Sequence, residues 1–305
     1  MDKVMRIIRD QCLLSLIGAM LVVLCVCIGV TMNLTTVYDE NFDHMGIRTF
    51  CMFTVNSNIL AALTMTLVVP YAVDGLRRHD YHVPLWVSRF VLSGATCVTL
   101  TFLVSLFILA PVKGFLLIFS GSRFFLHLVC PLLTFLVFCF CMTAHLLTAR
   151  DAIFATIPVL IYAIVYFVMV VVIGEAHGGW NDFYGFATRI PVWIPMILIM
   201  PLTYGIASLI RFLHNGSYRR RIKRTANYFH RHFAGEDVRN TVEDIARLYS
   251  SRNREKDSNI VIPMRIITTM CENVEGDWTM EELCELYLKT YMENTERVKK
   301  NDLWI

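Results

Sequence analysis

Six apolar stretches, each long enough to cross a hydrocarbon layer, constrain this chain more than any other feature. They cover about residues 12–32, 50–73, 85–110, 125–148, 153–174 and 190–213. A helix needs about 20 apolar residues to span a bilayer, because every backbone polar group must be satisfied within the segment. The breaks between the stretches are short and hold the charges: Asp39, Glu40 and Asp43, then Arg77-Arg78-His79, Lys113, Arg150-Asp151, and Glu175 with Asp182. Only 17% of the 305 residues are charged, against about a quarter in a soluble domain. The expected fold is all-α: a six-helix transmembrane domain over residues 1–215, followed by a small helical tail over 216–305.

Orientation follows from the basic residues. Lys3, Arg6 and Arg9 precede the first stretch, Arg77, Arg78 and Arg89 surround the second break, and Arg150 lies in the fourth. Arg219-Arg220-Arg221 with Lys223 and Arg224 follows the sixth. The positive-inside rule therefore places both termini in the cytoplasm of a cell membrane. The arginine run also suits anionic lipid headgroups, which attract each such residue by about 1 kcal/mol. The basic start does not read as a cleaved secretory leader, since the run 12–32 is too long and lacks a small-x-small site.

The tail carries a capping-box pattern, Thr279 to Glu282, before Met280, Leu283, Cys284, Leu288 and Tyr291 at helical spacing. An earlier helix is expected over Val242 to Tyr249, with Pro263 and Gly276-Asp277 as punctuation. The tail has no nucleotide loop and reads as a surface for packing or for a cytoplasmic protein partner. The net charge of +3 and the lack of a basic helix with stacking aromatics argue against nucleic acid. No cofactor motif is present. The ten cysteines show no Cys-x-x-Cys spacing, and Glu175 with His177 is too small a set to hold a metal. The cysteines read as small core residues. His44 in the first outer loop and His230-Arg231-His232 in the tail read as solvated surface.

Polar side chains within spanning helices are costly and point to function. Thr54, Ser57 and Asn58 stand at i, i+3 and i+4 on one face of the second helix. Arg123, His127, Cys130, Pro131 and Thr134 form a stripe on the fourth. Both helices descend from the same side. At 1.5 Å per residue Thr54 lies about 6 Å into its helix and His127 about 3 Å into its own. If the two helices are neighbours, hydroxyl and imidazole can meet. A threonine hydroxyl needs a base to become a nucleophile, and neutral histidine is the usual one. Ser57 and Asn58 are candidates to donate hydrogen bonds to an oxyanion.

The segments Phe53-Thr54-Val55-Asn56-Ser57-Asn58-Ile59-Leu60 and Leu126-His127-Leu128-Val129-Cys130-Pro131-Leu132 resemble two signatures of the androgen-induced, FAR-type membrane proteins and of similar bacterial six-helix proteins. In that group a Phe-Thr-x-x-x-Asn-like stretch opens one helix, and a His followed by Pro four residues later opens another. Gly179-Trp180 and Phe183-Tyr184 resemble the aromatic loop of the same group. The resemblance covers residues 10–213. It implies a threonine hydrolase of fatty acid esters with Thr54 as nucleophile and His127 as base, and a lipid ester as substrate. The tail departs from the animal members. Two other readings accompany this one. One is a membrane-anchored regulatory or interaction protein that works through residues 216–305. The other is a small-solute transporter whose polar path would include Arg89, Ser93 and Thr96.

Overall fold

The computed structural model describes residues 2–35, 46–78, 83–143, 145–184 and 193–233. Six helices in it are long and apolar enough to cross a membrane, and no strand occurs among the described residues. They are α1 (Asp2–Thr35), α2 (Phe53–Arg78), α3 (Leu85–Lys113), α4 (Gly121–Cys141), α5 (Ala149–Ile173) and α6 (Trp193–Phe233). This is a multi-pass membrane protein. Large apolar side chains stay exposed around the bundle, for example Leu24, Phe90, Ile161 and Phe212. A bilayer, unlike water, leaves such surface unpenalised. The even number of crossings puts residues 9 and 220 at one end. The other end, here the far end, holds the starts of α2, α4 and α6.

α3 occupies the centre and packs against α2, α4, α5 and α6, while α1 packs against α2 and α4. Small residues allow the close approaches. A Cβ on Gly94 would lie 2.7 Å from Thr64 Oγ1 and 3.1 Å from the Ala61 backbone, so α2 and α3 meet almost backbone to backbone.

Two spans carry a π-helical turn that ends two residues before a proline. Ser105–Leu109 precedes Pro111, and Phe124–Val129 precedes Pro131. A proline ring collides with the carbonyl four residues back and lacks an N–H. Widening the preceding turn moves that carbonyl away and keeps the helix continuous.

The fourth apolar stretch was expected to run as helix to residue 148, but α4 stops at Cys141 and α5 begins at Ala149 instead of 153. The intervening chain is irregular although it is apolar, because side chains satisfy its backbone. Asn215 on α6 donates to Leu147 O at 2.8 Å and accepts from Leu147 N–H at 2.9 Å. Ser15 donates to Cys141 O at 3.2 Å. The His214 ring lies against Phe138 O and His145 O at 3.0 and 3.1 Å. Thr148 and Asp151 then form a capping box that starts α5.

Asp151 is 1% exposed, and besides this cap it pairs with Arg89 Nε at 2.6 Å. Asp151→Ala is expected to cost about 1–2 kcal/mol in detergent unfolding, since the cap is lost while half-exposed Arg89 regains solvent. Asp151→Asn should recover part of that loss.

α6 does not end near residue 213. It continues through Gly216 and the arginine run to Phe233, so the expected boundary at 216 is not a break in the helix. Arginine and lysine are good helix formers and extend it past the apolar part. The expected tail helices at 242–249 and 280–291 lie outside the described residues.

Candidate functional site

α2 begins without a capping side chain of its own. Its first turn is held from other elements. The Phe53 N–H donates to Tyr184 Oη at 3.0 Å, and Tyr162 on α5 donates its hydroxyl to Cys51 O at 2.7 Å. The Phe53 and Tyr162 rings also meet at a tilt of 56°, with 5.0 Å between centroids. Tyr184 belongs to the loop after α5. There Tyr166 donates to Asp182 Oδ1 at 2.6 Å, and the rings of Tyr166, Phe183 and Tyr184 contact one another. Burial pushes the Tyr184 phenol above its ordinary value, against opposing hydrogen bonds from Tyr162 and the first α2 amides, so it stays a neutral hydroxyl.

Glycines shape this loop. Gly174 and Gly178 have φ of 69° and 86°, which suits residues without a Cβ. Gly179 donates its N–H to Gly174 O at 2.9 Å, and Trp180 N–H reaches Met169 O at 3.0 Å. A Cβ on Gly179 would overlap Met169 O and lie 2.7 Å from Gly174 O. Gly179→Ala is therefore expected to unseat the loop, with a loss of about 2 kcal/mol. Increased fluorescence quenching of Trp180 by aqueous iodide reads this out directly.

Beneath the aromatic loop lies an apolar cavity of about 90 Å³, lined by residues of α2, α3, α5 and α6 together with Tyr184. Thr54, the second residue of α2, lines it. A threonine in a membrane helix ordinarily bonds a carbonyl one turn back. The Thr54 hydroxyl makes no hydrogen bond among the described residues.

His127 lies in the π turn of α4 and is 7% exposed. Its Nδ1 is 3.2 Å from Ile118 O. A carbonyl can only accept, so a neutral ring in this contact carries its hydrogen on Nδ1 and leaves the Nε2 lone pair available. His127 does not line the cavity, and no hydrogen bond joins it to Thr54.

The backbones of the two residues are nevertheless linked. Asn58 is fully buried and donates through one Nδ2 to Thr54 O at 2.7 Å and to Leu126 O at 2.9 Å. The two carbonyl oxygens thus lie within the sum of those lengths, one belonging to Thr54 and the other to the neighbour of His127. The second acceptor has a clear origin. In the π register, the Cys130 N–H reaches Phe125 O, five residues back. The next donor in that series would come from residue 131 and reach Leu126 O. Pro131 has none, and Asn58 supplies it.

Both hydrogens of the Asn58 amide are committed in this way, which leaves no donor for the oxyanion role expected from sequence. Asn58 Oδ1 is buried without a partner. Ser57 is engaged too, with Oγ 3.0 Å from Thr54 O and 2.9 Å from Thr101 Oγ1. Both residues tie α2 to its neighbours.

Tyr162 and Tyr166 on α5, and Ser105 on the α3 wall of the cavity, were not singled out from sequence, whereas Phe183-Tyr184 of the aromatic loop was. Thr101 and Ser105 stand at i and i+4, a spacing that could have marked the face. The alternative polar path on α3 does not form a continuous stripe. Arg89 pairs with Asp151, Ser93 bonds Arg89 O at 3.2 Å, and Thr96 Oγ1 is buried alone. Glu175 and His177 are solvent-exposed. Comparison with protein-family models, with curated proteins and with solved structures finds no match for this chain.

Proposed function

We propose that this protein is an intramembrane hydrolase of lipid esters, with Thr54 as nucleophile and His127 as base. The observation that carries this reading is the Thr54 hydroxyl, which has no hydrogen-bond partner among the described residues and lines an apolar, tyrosine-roofed cavity at the far end of the bundle. With both termini in the cytoplasm of the cell membrane, that end belongs to the outer leaflet, and an acyl chain would enter from there. The Asn58 link between Thr54 and the turn that carries His127 favours these two residues as partners. The resemblance of residues 53–60 and 126–132 to the androgen-induced, FAR-type proteins points the same way.

In the reaction, Thr54 Oγ1 bonds to the ester carbonyl carbon as its proton passes to His127 Nε2, which stands outside the cavity and is reached through one intervening water. The C–O bond to the leaving alcohol breaks, and that alcohol takes the proton from the imidazolium. Water, deprotonated by the same Nε2, then attacks the acyl-threonine. The acid leaves, and the Thr54 hydroxyl is restored. The proton that restores the Thr54 hydroxyl comes from the His127 imidazolium.

Labelling of the full chain in nanodiscs with an alkyl fluorophosphonate tests the assignment. Wild-type protein is expected to be labelled at Thr54. Labelling that persists unchanged in Thr54→Ala and His127→Ala removes both roles.

A further inference from the structure

Four of the hydroxyls that line the cavity are engaged by the protein. Thr101 donates to Cys97 O at 3.2 Å, Tyr162 to Cys51 O and Tyr166 to Asp182, while Tyr184 accepts from Phe53. Ser105 differs. It is 1% exposed, lines the same cavity as Thr54, and makes no side-chain hydrogen bond among the described residues. A serine within a helix ordinarily bonds the carbonyl three or four residues back. Ser105 instead opens a π turn in which the Ala110 N–H reaches Ser105 O, and such single wide turns recur at functional sites.

A hydroxyl that faces an apolar cavity without a protein partner is poorly solvated. It is understandable where a ligand brings the missing acceptor. The chemistry of the walls limits that ligand. Among the described residues no charged side chain lines the cavity, so a carboxylate or phosphate would lose its hydration there without compensation. An ester carbonyl is an uncharged acceptor and does not meet this obstacle. The volume is also limiting. At roughly 10–15 Å³ for each water-sized centre, the 90 Å³ cavity suits a short or medium acyl segment.

We propose that Ser105 is a second polar anchor of this site and donates its hydroxyl hydrogen to the carbonyl oxygen of an uncharged, short- to medium-chain acyl ester. The assignment rests on the reading of the cavity as an ester site. It concerns binding and involves no proton transfer.

The test uses the full chain in nanodiscs with Thr54→Ala, so that no turnover consumes the ligand. Two photoreactive probes carry the same eight-carbon diazirine chain. One is the methyl ester and the other the methyl ether, which lacks the carbonyl. Crosslinking to cavity residues is expected to favour the ester about five-fold, the range of a neutral hydrogen bond. Adding Ser105→Ala brings the two probes to parity, and Ser105→Thr keeps the preference. Equal preference with and without Ser105, or no preference in the parent, overturns the proposal. Octanoate anion is expected to compete at least ten-fold more weakly than methyl octanoate, and equal competition overturns the assignment to an uncharged ligand. Ser105→Ala should melt no lower than its parent, because it removes a hydroxyl without a partner. A lower melting temperature gives the serine a packing role and also overturns the proposal. Failure of fluorophosphonate to label Thr54 strikes the hydrolase reading alone, because the ester preference is measured without turnover.

Discussion

Thr54→Ala is expected to lower fluorophosphonate labelling and ester hydrolysis by at least about 10³-fold, the usual scale for loss of a nucleophile. The melting temperature should stay close to that of the wild type. The Thr54 hydroxyl has no hydrogen bond to lose, and the methyl-sized change at a half-buried position stays within about 0.5–1 kcal/mol. That separation of effects is informative, because a structural threonine that bonds its own helix would behave in the opposite way. Thr54→Ser keeps the oxygen and should retain measurable labelling. His127→Ala is expected to lose about 10²–10⁴-fold, the contribution of a general base. It also removes the contact to Ile118 O, so its melting temperature should fall slightly. If Thr54→Ala keeps wild-type labelling, the nucleophile lies elsewhere.

Asn58→Ala is expected to lower stability by about 2 kcal/mol in detergent unfolding. Two hydrogen bonds are lost, at 2.7 and 2.9 Å, and a buried carbonyl left alone costs about 1–3 kcal/mol. The loss is moderated because the substitution also removes the unpartnered Oδ1. Leu126 O bears most of the damage, since Pro131 cannot supply its missing donor. This origin makes a second, sharper expectation. In a Pro131→Ala background the restored N–H at position 131 can reach Leu126 O, and Asn58→Ala should then cost about 1 kcal/mol less. The coupling of about 1 kcal/mol is readable in a double-mutant cycle. Strict additivity would show that Asn58 is not compensating the proline. Activity provides a second readout. Loss of the clamp frees the Thr54 turn from the turn carrying His127, so kcat should fall while acyl-chain binding persists.

Much of the architecture could be read from hydropathy alone, because the bilayer imposes one rule on every spanning segment. Each of the six apolar stretches contains a spanning helix. The error at residues 142–148 has the same root. Met142, Leu146 and Leu147 look like helix interior by composition. The backbone around them is held from outside the segment, with Gln11 on Thr143 O, Ser15 on Cys141 O, His214 on His145 O and Asn215 on Leu147. Nothing in the local pattern announces donors more than 60 residues away. The same applies to Asn58. Sequence placed it beside Thr54, but its partner Leu126 depends on which helices touch.

Composition and periodicity by themselves determined the number of spans and their approximate ends. These properties belong to single helices, and a bilayer reads them one helix at a time. Only the tertiary structure decided which hydroxyls are already engaged and which remain open to the cavity. Among the described residues it left Thr54 and Ser105 without side-chain hydrogen bonds, and it turned Ser57 and Asn58 into braces. The physical reason is that hydrogen bonding within a membrane is an accounting across the whole bundle, and a side chain's role depends on which carbonyl its neighbours have left unsatisfied.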